Sequence, residues 1–434
     1  SPRPTLYRRV APCARVVAVV RRRDGYSTAV NTLRYALLLC IFPACLLVGL
    51  VLDWRLGLGL TLAVVLLLAW QARRMGASFT GIMGNLARSY RSLPRLLWSF
   101  DRRAAERAGG PDVQPGEVRL GPTRFYADLP ALEARELQAV VRQTHACLAE
   151  LFPGSRPVDR VLIFGRQQAM LDYIGGWLGM AGTRAAGFCF AMGPVRVVGA
   201  VDAFRELGRD PRALLAHELV HGGLRGVARG VSMYPWLNEG LAEALAVSLF
   251  EPARVPGIHR FLRRARAAGH WMDWAELWAV RPGHILGWLQ SGDHAQLMKA
   301  QLLYSQGCLL VKALLEREGG EHRCLRAMLA EPRDAQAIIR RHLGFDGAEL
   351  LGWVEREVEA ASFDLTPWDR SRRQVLRELL AQEPPSRFRS SAVIGLAACG
   401  DAEDLPLLEA LCEEDDPELR TLAKLAADLL RAEA

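Results

Sequence analysis

The sequence predicts an α+β protein that carries a membrane hairpin, and three observations lead there. Short β-branched runs at Thr123 to Ala127, Val158 to Phe164 and Arg196 to Val201 alternate with segments of helical spacing. After Val201 the pattern is helical to the end of the chain. Ahead of both, between Tyr35 and Ala72, the apolar residues concentrate in two runs. The expected order is a two-helix hairpin, a small sheet, a helical part packed with it, and a short helical tail.

At 434 residues the chain exceeds what one compact core usually holds, so several units are expected. We divide it into a basic N-terminal segment (1–34), the hairpin (35–72), a basic juxtamembrane helix with a linker (73–116), a central domain (117–362) and a helical tail (363–434). Tyr35 to Leu52 is apolar and interrupted only in shape by Pro43; Asp53-Trp54-Arg55 follows, and Leu56 to Ala72 is almost free of polar groups. A helix of that length rises about 27 Å, close to the hydrocarbon thickness of a bilayer at about 30 Å. The apolar stretch starts late and comes as a pair, unlike a secretory signal peptide. Arg8, Arg9, Arg15, Arg21, Arg22, Arg23 and Arg34 precede it, and Arg73, Arg74, Arg88, Arg91 and Arg95 follow it. Arginine on both flanks places both ends on the cytoplasmic side, with the rest of the chain facing the cytosol.

The net charge of +8 is largely this flanking arginine, and no aromatic-plus-basic stripe or finger motif accompanies it, which argues against nucleic-acid binding. The 9 cysteines are scattered and form no Cys-x-x-Cys, as expected of reduced thiols in a cytosolic domain. From Ser78 to about Arg107, Leu93, Leu96, Leu97, Trp98 and Phe100 interleave with arginine. Two readings stand for this stretch, a helix lying on the membrane surface or a solvated connector. Gly109 to Gly116 reads as a linker.

Within the central domain, Glu133 to Phe152 carries Leu137, Val140, Val141, Leu148 and Leu151 at helical spacing, and Gln167 to Tyr173 reads as a short helix. The run Arg196 to Val201 is expected at a sheet edge. Asp210-Pro211 then opens a helix, since Asp caps and Pro is tolerated in the first turn. That helix contains His217-Glu218-Leu219-Val220-His221. His217 and His221 are one turn apart on the same face, so both imidazoles can reach one zinc at about 2.0–2.1 Å. Glu218 points slightly aside, where it contacts a metal-activated water without ligating the metal.

A metzincin would need Gly at 224 and His at 227, where this chain has Leu224 and Val227. It has instead Pro235-Trp236-Leu237-Asn238-Glu239-Gly240-Leu241-Ala242-Glu243. With this second motif the region 117–360 resembles the gluzincin peptidases, and among them the bacterial peptidase-MA-like domains. The resemblance implies a small N-terminal sheet followed by a helical part, Zn2+ as cofactor, and Glu239 as the third ligand. It also implies that Glu243 orients a ligand histidine, expected to be His217; a plain salt bridge is the alternative. Tyr304-Ser305-Gln306-Gly307 is similar to an element whose tyrosine hydrogen-bonds the tetrahedral oxyanion, and an ordinary helix-start tyrosine is the alternative for Tyr304.

The tail has an internal echo: Arg389-Ser-Ser-Ala392-Val-Ile-Gly-Leu-Ala-Ala matches Arg420-Thr-Leu-Ala423-Lys-Leu-Ala-Ala. It resembles short bacterial HEAT repeats over roughly 386–434, a packed cap more than a binding arch, and a place for a protein partner. His259, His270, His284, His294, His322 and His342 lie in Arg-rich or turn contexts and are expected at the surface or at caps. No Ser/His/Asp or Cys/His pattern competes, and Gly57 and Gly59 sit in an apolar run, not between strand and helix. The resemblance thus implies hydrolysis of peptide or protein substrates by a metal-activated water with Glu218 as general base, and the hairpin with its arginine flanks adds the expectation of a bacterial inner membrane. The extended run Arg196–Val201 would pair with the substrate backbone. Two rivals remain, a non-catalytic zinc-binding scaffold that recruits partners through its tail and a hydrolase of non-peptide substrates.

Overall fold

The structure is a computed structural model that describes residues 116–178, 186–190, 195–227, 234–281, 284–285, 288, 294–318, 322–331, 335–382 and 388–432, together with Leu66. The basic N-terminal segment, the expected hairpin (Leu66 apart) and the juxtamembrane stretch up to residue 115 lie outside the described residues. Among the described residues no helix is long and apolar enough to cross a membrane. They form a mixed α and β fold, mostly helical, with one small sheet of 5 strands.

Strands β1 (Gly116–Leu120) and β2 (Thr123–Ala127) make an antiparallel hairpin, closed where Gly121 takes φ 62° ahead of Pro122. A positive φ at that corner favours glycine, and Pro122 supplies the negative φ that follows. Helix α1 (Ala131–Leu151) leads to β3 (Arg160–Phe164), which runs parallel to β2. After α2 (Gln167–Leu178) come β4 (Gly187–Phe190) and β5 (Arg196–Ala200). The strand order is β1-β2-β3-β5-β4, with β5 parallel to β3 and β4 antiparallel to β5.

The order corrects one expectation. Arg196–Ala200 is not an edge strand: β3 and β4 occupy its two sides, and Gly187–Phe190 is the edge. Val201, assigned to the same strand from sequence, starts helix α3 (Val201–Arg205) instead. Both strands missed by sequence reading, β1 and β4, lie at sheet edges.

Alternate residues of the inner strands point to opposite faces, and both faces are covered. Phe125, Val161, Ile163 and Val197 face one cluster with α1 and with α4 (Pro211–Gly223). Tyr126, Leu162, Phe164 and Val198 face the larger cluster, which runs without a break through the helical part into the tail. That part comprises α5 (Pro235–Phe250), α6 (Val255–Ala267), α7 (Trp274–Ala279), α8 (His294–Arg317), α9 (Arg323–Ala330), α10 (Ala335–Leu343) and α11 (Gly347–Glu359). The tail adds α12 (Pro367–Leu380), α13 (Arg389–Cys399), α14 (Leu405–Leu411) and α15 (Pro417–Arg431).

Buried arginines tie the tail to the helical part. Arg260 of α6 pairs with Asp369 of α12 at 2.7 Å, both fully buried. Arg264, one turn further, donates to the carbonyls of Ala397 and Gly400 at 3.0 and 2.9 Å. Asp369 also closes the α12 capping box with Thr366, so one carboxylate caps a helix and balances a buried cation.

Candidate metal centre

Helix α4 starts on Asp210, whose carboxylate accepts the Arg212 N–H at 2.8 Å. It is apolar nearly all round, with Ala213, Leu215, Ala216, Leu219 and Val220 buried, and it packs on β4, β5, α1 and α5. A helix so enclosed has few positions for polar side chains, and three of them are His217, Glu218 and His221. Helix α5 begins with Pro235 in its first turn and presents Asn238, Glu239 and Glu243 to α4.

The two helices bring three ligand atoms together. His221 Nε2 lies 3.1 Å from His217 Nε2 and 3.2 Å from Glu239 Oε2, and His217 Nε2 lies 3.4 Å from Glu239 Oε2. A tetrahedral centre with bonds of about 2.0–2.1 Å has edges of about 3.3 Å, so these separations fit one metal ion. Among the described residues this is the one group of three or more His, Cys, Asp and Glu side chains so arranged.

The other polar atoms of the ligands are occupied. His217 Nδ1 lies 3.1 Å from Glu243 Oε2, and His221 Nδ1 lies 3.2 Å from Asn238 Oδ1. Each contact assigns the ring proton to Nδ1 and leaves the Nε2 lone pair free. The Asn238 amide then donates to Glu239 Oε1 at 3.1 Å, leaving Oε2 facing the rings. Glu243 is held in turn by an ion pair with Arg254, from the 3-10 turn Pro252–Arg254 that follows α5. Glu251 joins this network, 3.0 Å from Arg209 and 3.6 Å from Arg254. Partners of this kind fix ring orientation and raise the basicity of a ligand.

The electrostatics agree with the geometry. Burial opposes charge on His217, but Glu239 and Glu243 outweigh it and raise its pKa. Burial likewise opposes charge on Glu239, and the two histidines override it and hold that carboxyl low. A field that favours a proton among these atoms favours a cation there, and metal binding displaces the proton.

Glu218 is buried, and burial raises its pKa against the pull of His217 and His221. It is not one of the converging ligands. The edge strand lies directly against it: a Cβ on Gly187 would sit 3.1 Å from Glu218 Oε1 and 2.8 Å from Leu214 Cδ1. Tyr304 does not start a helix, as sequence suggested; it lies in the middle of α8, with its ring 6.3 Å from that of His217. Burial and then the carboxylates of Glu239, Glu218 and Glu243 raise its pKa well above 10, so its hydroxyl keeps the proton.

All six residues singled out from sequence therefore gather around one point. Asn238, Arg254, Arg209 and Glu251 were missed as contributors. Asn238 was visible inside the motif, whereas nothing in the sequence marks Arg254 or Arg209 among so many arginines. His259 departs from expectation: it is buried, with Nδ1 2.9 Å from the Val255 carbonyl and Nε2 2.9 Å from Glu357. His284 takes the expected turn role, accepting the Arg281 N–H at 3.2 Å. The cysteines among the described residues are free thiols. Compared with known proteins, the chain matches no family model, no curated protein and no solved structure.

Proposed function

We propose that this protein is a zinc-dependent peptidase of the gluzincin type. The observation that carries the reading is the convergence of His217, His221 and Glu239 at tetrahedral edge distances with Glu218 beside them. A bound zinc would supply Lewis acidity, polarising a carbonyl and lowering the pKa of water toward ~7.

The chain's own residues supply the rest. Glu218 takes the proton of the attacking water and passes it to the leaving amine. The protonated Tyr304 hydroxyl donates a hydrogen bond to the developing oxyanion. Glu243 and Asn238 hold the histidine rings in register so that no reorganisation is needed during the reaction. Gly187 of β4, the last strand in the sheet order, lies against Glu218, and an extended substrate adding to that strand would run beside the site. We place the domain on the cytosolic face of a membrane, anchored through residues 35–72, with the tail as a HEAT-like cap.

The test is cleavage of a mixed peptide pool by zinc-loaded full chain, alongside zinc content, for wild type and Glu218→Gln. Cleavage that Glu218→Gln abolishes, with zinc retained, supports the reading. A wild type that cleaves nothing while holding a full zinc equivalent sinks it.

A further inference from the structure

A cavity of about 190 Å³ opens beyond Glu243, between the helical part and the tail. Arg209, Arg254 and Arg372 line it, with the polar side chains of Gln301, Ser305 and Ser391. Asp369 also borders it, but that carboxylate is paired with Arg260 at 2.7 Å. Arg254 and Arg209 meet Glu243 and Glu251. Two arginines thus face two glutamates, and Asp369 faces Arg260.

Arg372 is left over. Its Nε donates to the Leu207 carbonyl at 3.2 Å, and its guanidinium sits 5.4 Å from the Trp368 ring. Among the described residues no carboxylate forms an ion pair with it. Burial, reinforced by the like charges of Arg209 and Arg254, lowers its pKa to about 10, although Cys399 and Glu251 oppose the shift. Gly395 leaves room for its tip: a Cβ there would come within 3.1 Å of Arg372 Nη2. A half-buried guanidinium at the wall of a cavity lined by two further arginines, with no carboxylate paired to it among the described residues, calls for a counter-ion, and the cavity provides the space for one.

We propose that this cavity binds a small oxyanion, a phosphate or a carboxylate, held by Arg372 and Arg209 and by the hydroxyls of Ser305 and Ser391. The space falls below the usual range of about 300–1,000 Å³ for drug-sized ligands, so a small anion suits it. Guanidinium forks match the planar edge of a carboxylate or phosphate. A bound anion joins α12 to the arginines around Glu243, linking the tail to the support of His217.

The experiment uses purified full chain at fixed ionic strength in chloride. Thermal unfolding and calorimetry follow titration with inorganic phosphate in one arm and succinate in the other. The expected result is one saturable site per chain in at least one arm, with a matching rise in Tm. Preference for phosphate or for succinate assigns the ligand class. Arg372→Gln should weaken binding at least about tenfold and should not lower Tm in chloride, because it removes an uncompensated charge. Ser391→Asp, which supplies a carboxylate from the chain itself, should abolish the site and raise Tm. No saturation in either arm overturns the proposal. Binding that survives both variants does so too, since the anion then sits elsewhere, the metal centre included.

Discussion

Gly240 and Gly307 face each other where α5 crosses α8, with no space for a side chain on either. A Cβ on Gly240 would lie 2.8 Å from Gly307 Cα, and one on Gly307 would lie 3.1 Å from Gly240 Cα. Gly240 follows the ligand Glu239, and Gly307 is one turn from Tyr304. The close crossing is what brings the tyrosine ring to His217. Gly307→Ala should therefore cost about 1–3 kcal/mol, the usual range for overpacking, although alanine is the better helix former. Urea unfolding measures it, and an unchanged midpoint would mean the helices can separate freely.

Metal retention should grade with distance from the ion. His217→Ala and Glu239→Ala each remove a ligand and should leave almost no zinc after dialysis. Glu243→Ala and Asn238→Ala keep all three ligands but free a ring, so zinc affinity should fall about 10–100-fold. Competition with a chromophoric chelator reads both classes. Wild-type affinity in Glu243→Ala would reduce the His217–Glu243 contact to a structural one.

Acid should destabilise the sheet domain through His145. Its pKa is pushed down to about 4 by burial, and its Nε2 accepts the Val158 N–H at 3.4 Å. The unfolded chain, with an ordinary histidine pKa near 6.5, binds more protons between those values, so the contribution is complete above about pH 6.5 and is lost as pH falls toward 4. Between pH 7 and 5 the loss attributable to His145 is about 2 kcal/mol. Comparing urea unfolding of wild type and His145→Gln cancels the other titrations, including that of His217. Equal pH slopes for the two proteins would refute the assignment.

The centre was legible in sequence because its chemistry is local. His217, Glu218 and His221 lie on one helix, and Glu239 and Glu243 on another, so helical spacing alone sets which side chains share a face. What lay beyond reach depended on long-range packing. Glu117 and Arg119 break any apolar run in β1, whose first residue, Gly116, read as the end of the linker, and β4 is only 4 residues long. Without β4, the apolar run Arg196–Ala200 looked like an edge. The buried arginines were equally hidden, because Arg254, Arg260 and Arg264 differ from surface arginines only in the carboxylates and carbonyls the fold brings to them.

The last prediction separates catalysis from metal binding. Glu218 is buried against Gly187, beside His217 and His221, and it holds no place in the ligand triad. Glu218→Gln keeps its shape and removes its charge, so zinc content should be unchanged; in the metal-free protein stability should be equal or slightly higher, because there a buried carboxylate with a raised pKa is a cost to the fold near neutral pH. On the proposed peptidase reading, the rate of peptide cleavage should nevertheless fall by at least about 10²-fold, the contribution of a general base. Tyr304→Phe should lower kcat with little change in KM if its hydroxyl meets only the transition state. Gly187→Ala provides an independent probe from the sheet side: its Cβ would meet Glu218 Cγ at 3.0 Å and press on the base without touching a ligand. It should reduce turnover while sparing zinc, as Glu218→Gln does. Loss of zinc in either variant would show that Glu218 holds the metal centre together and is not its base.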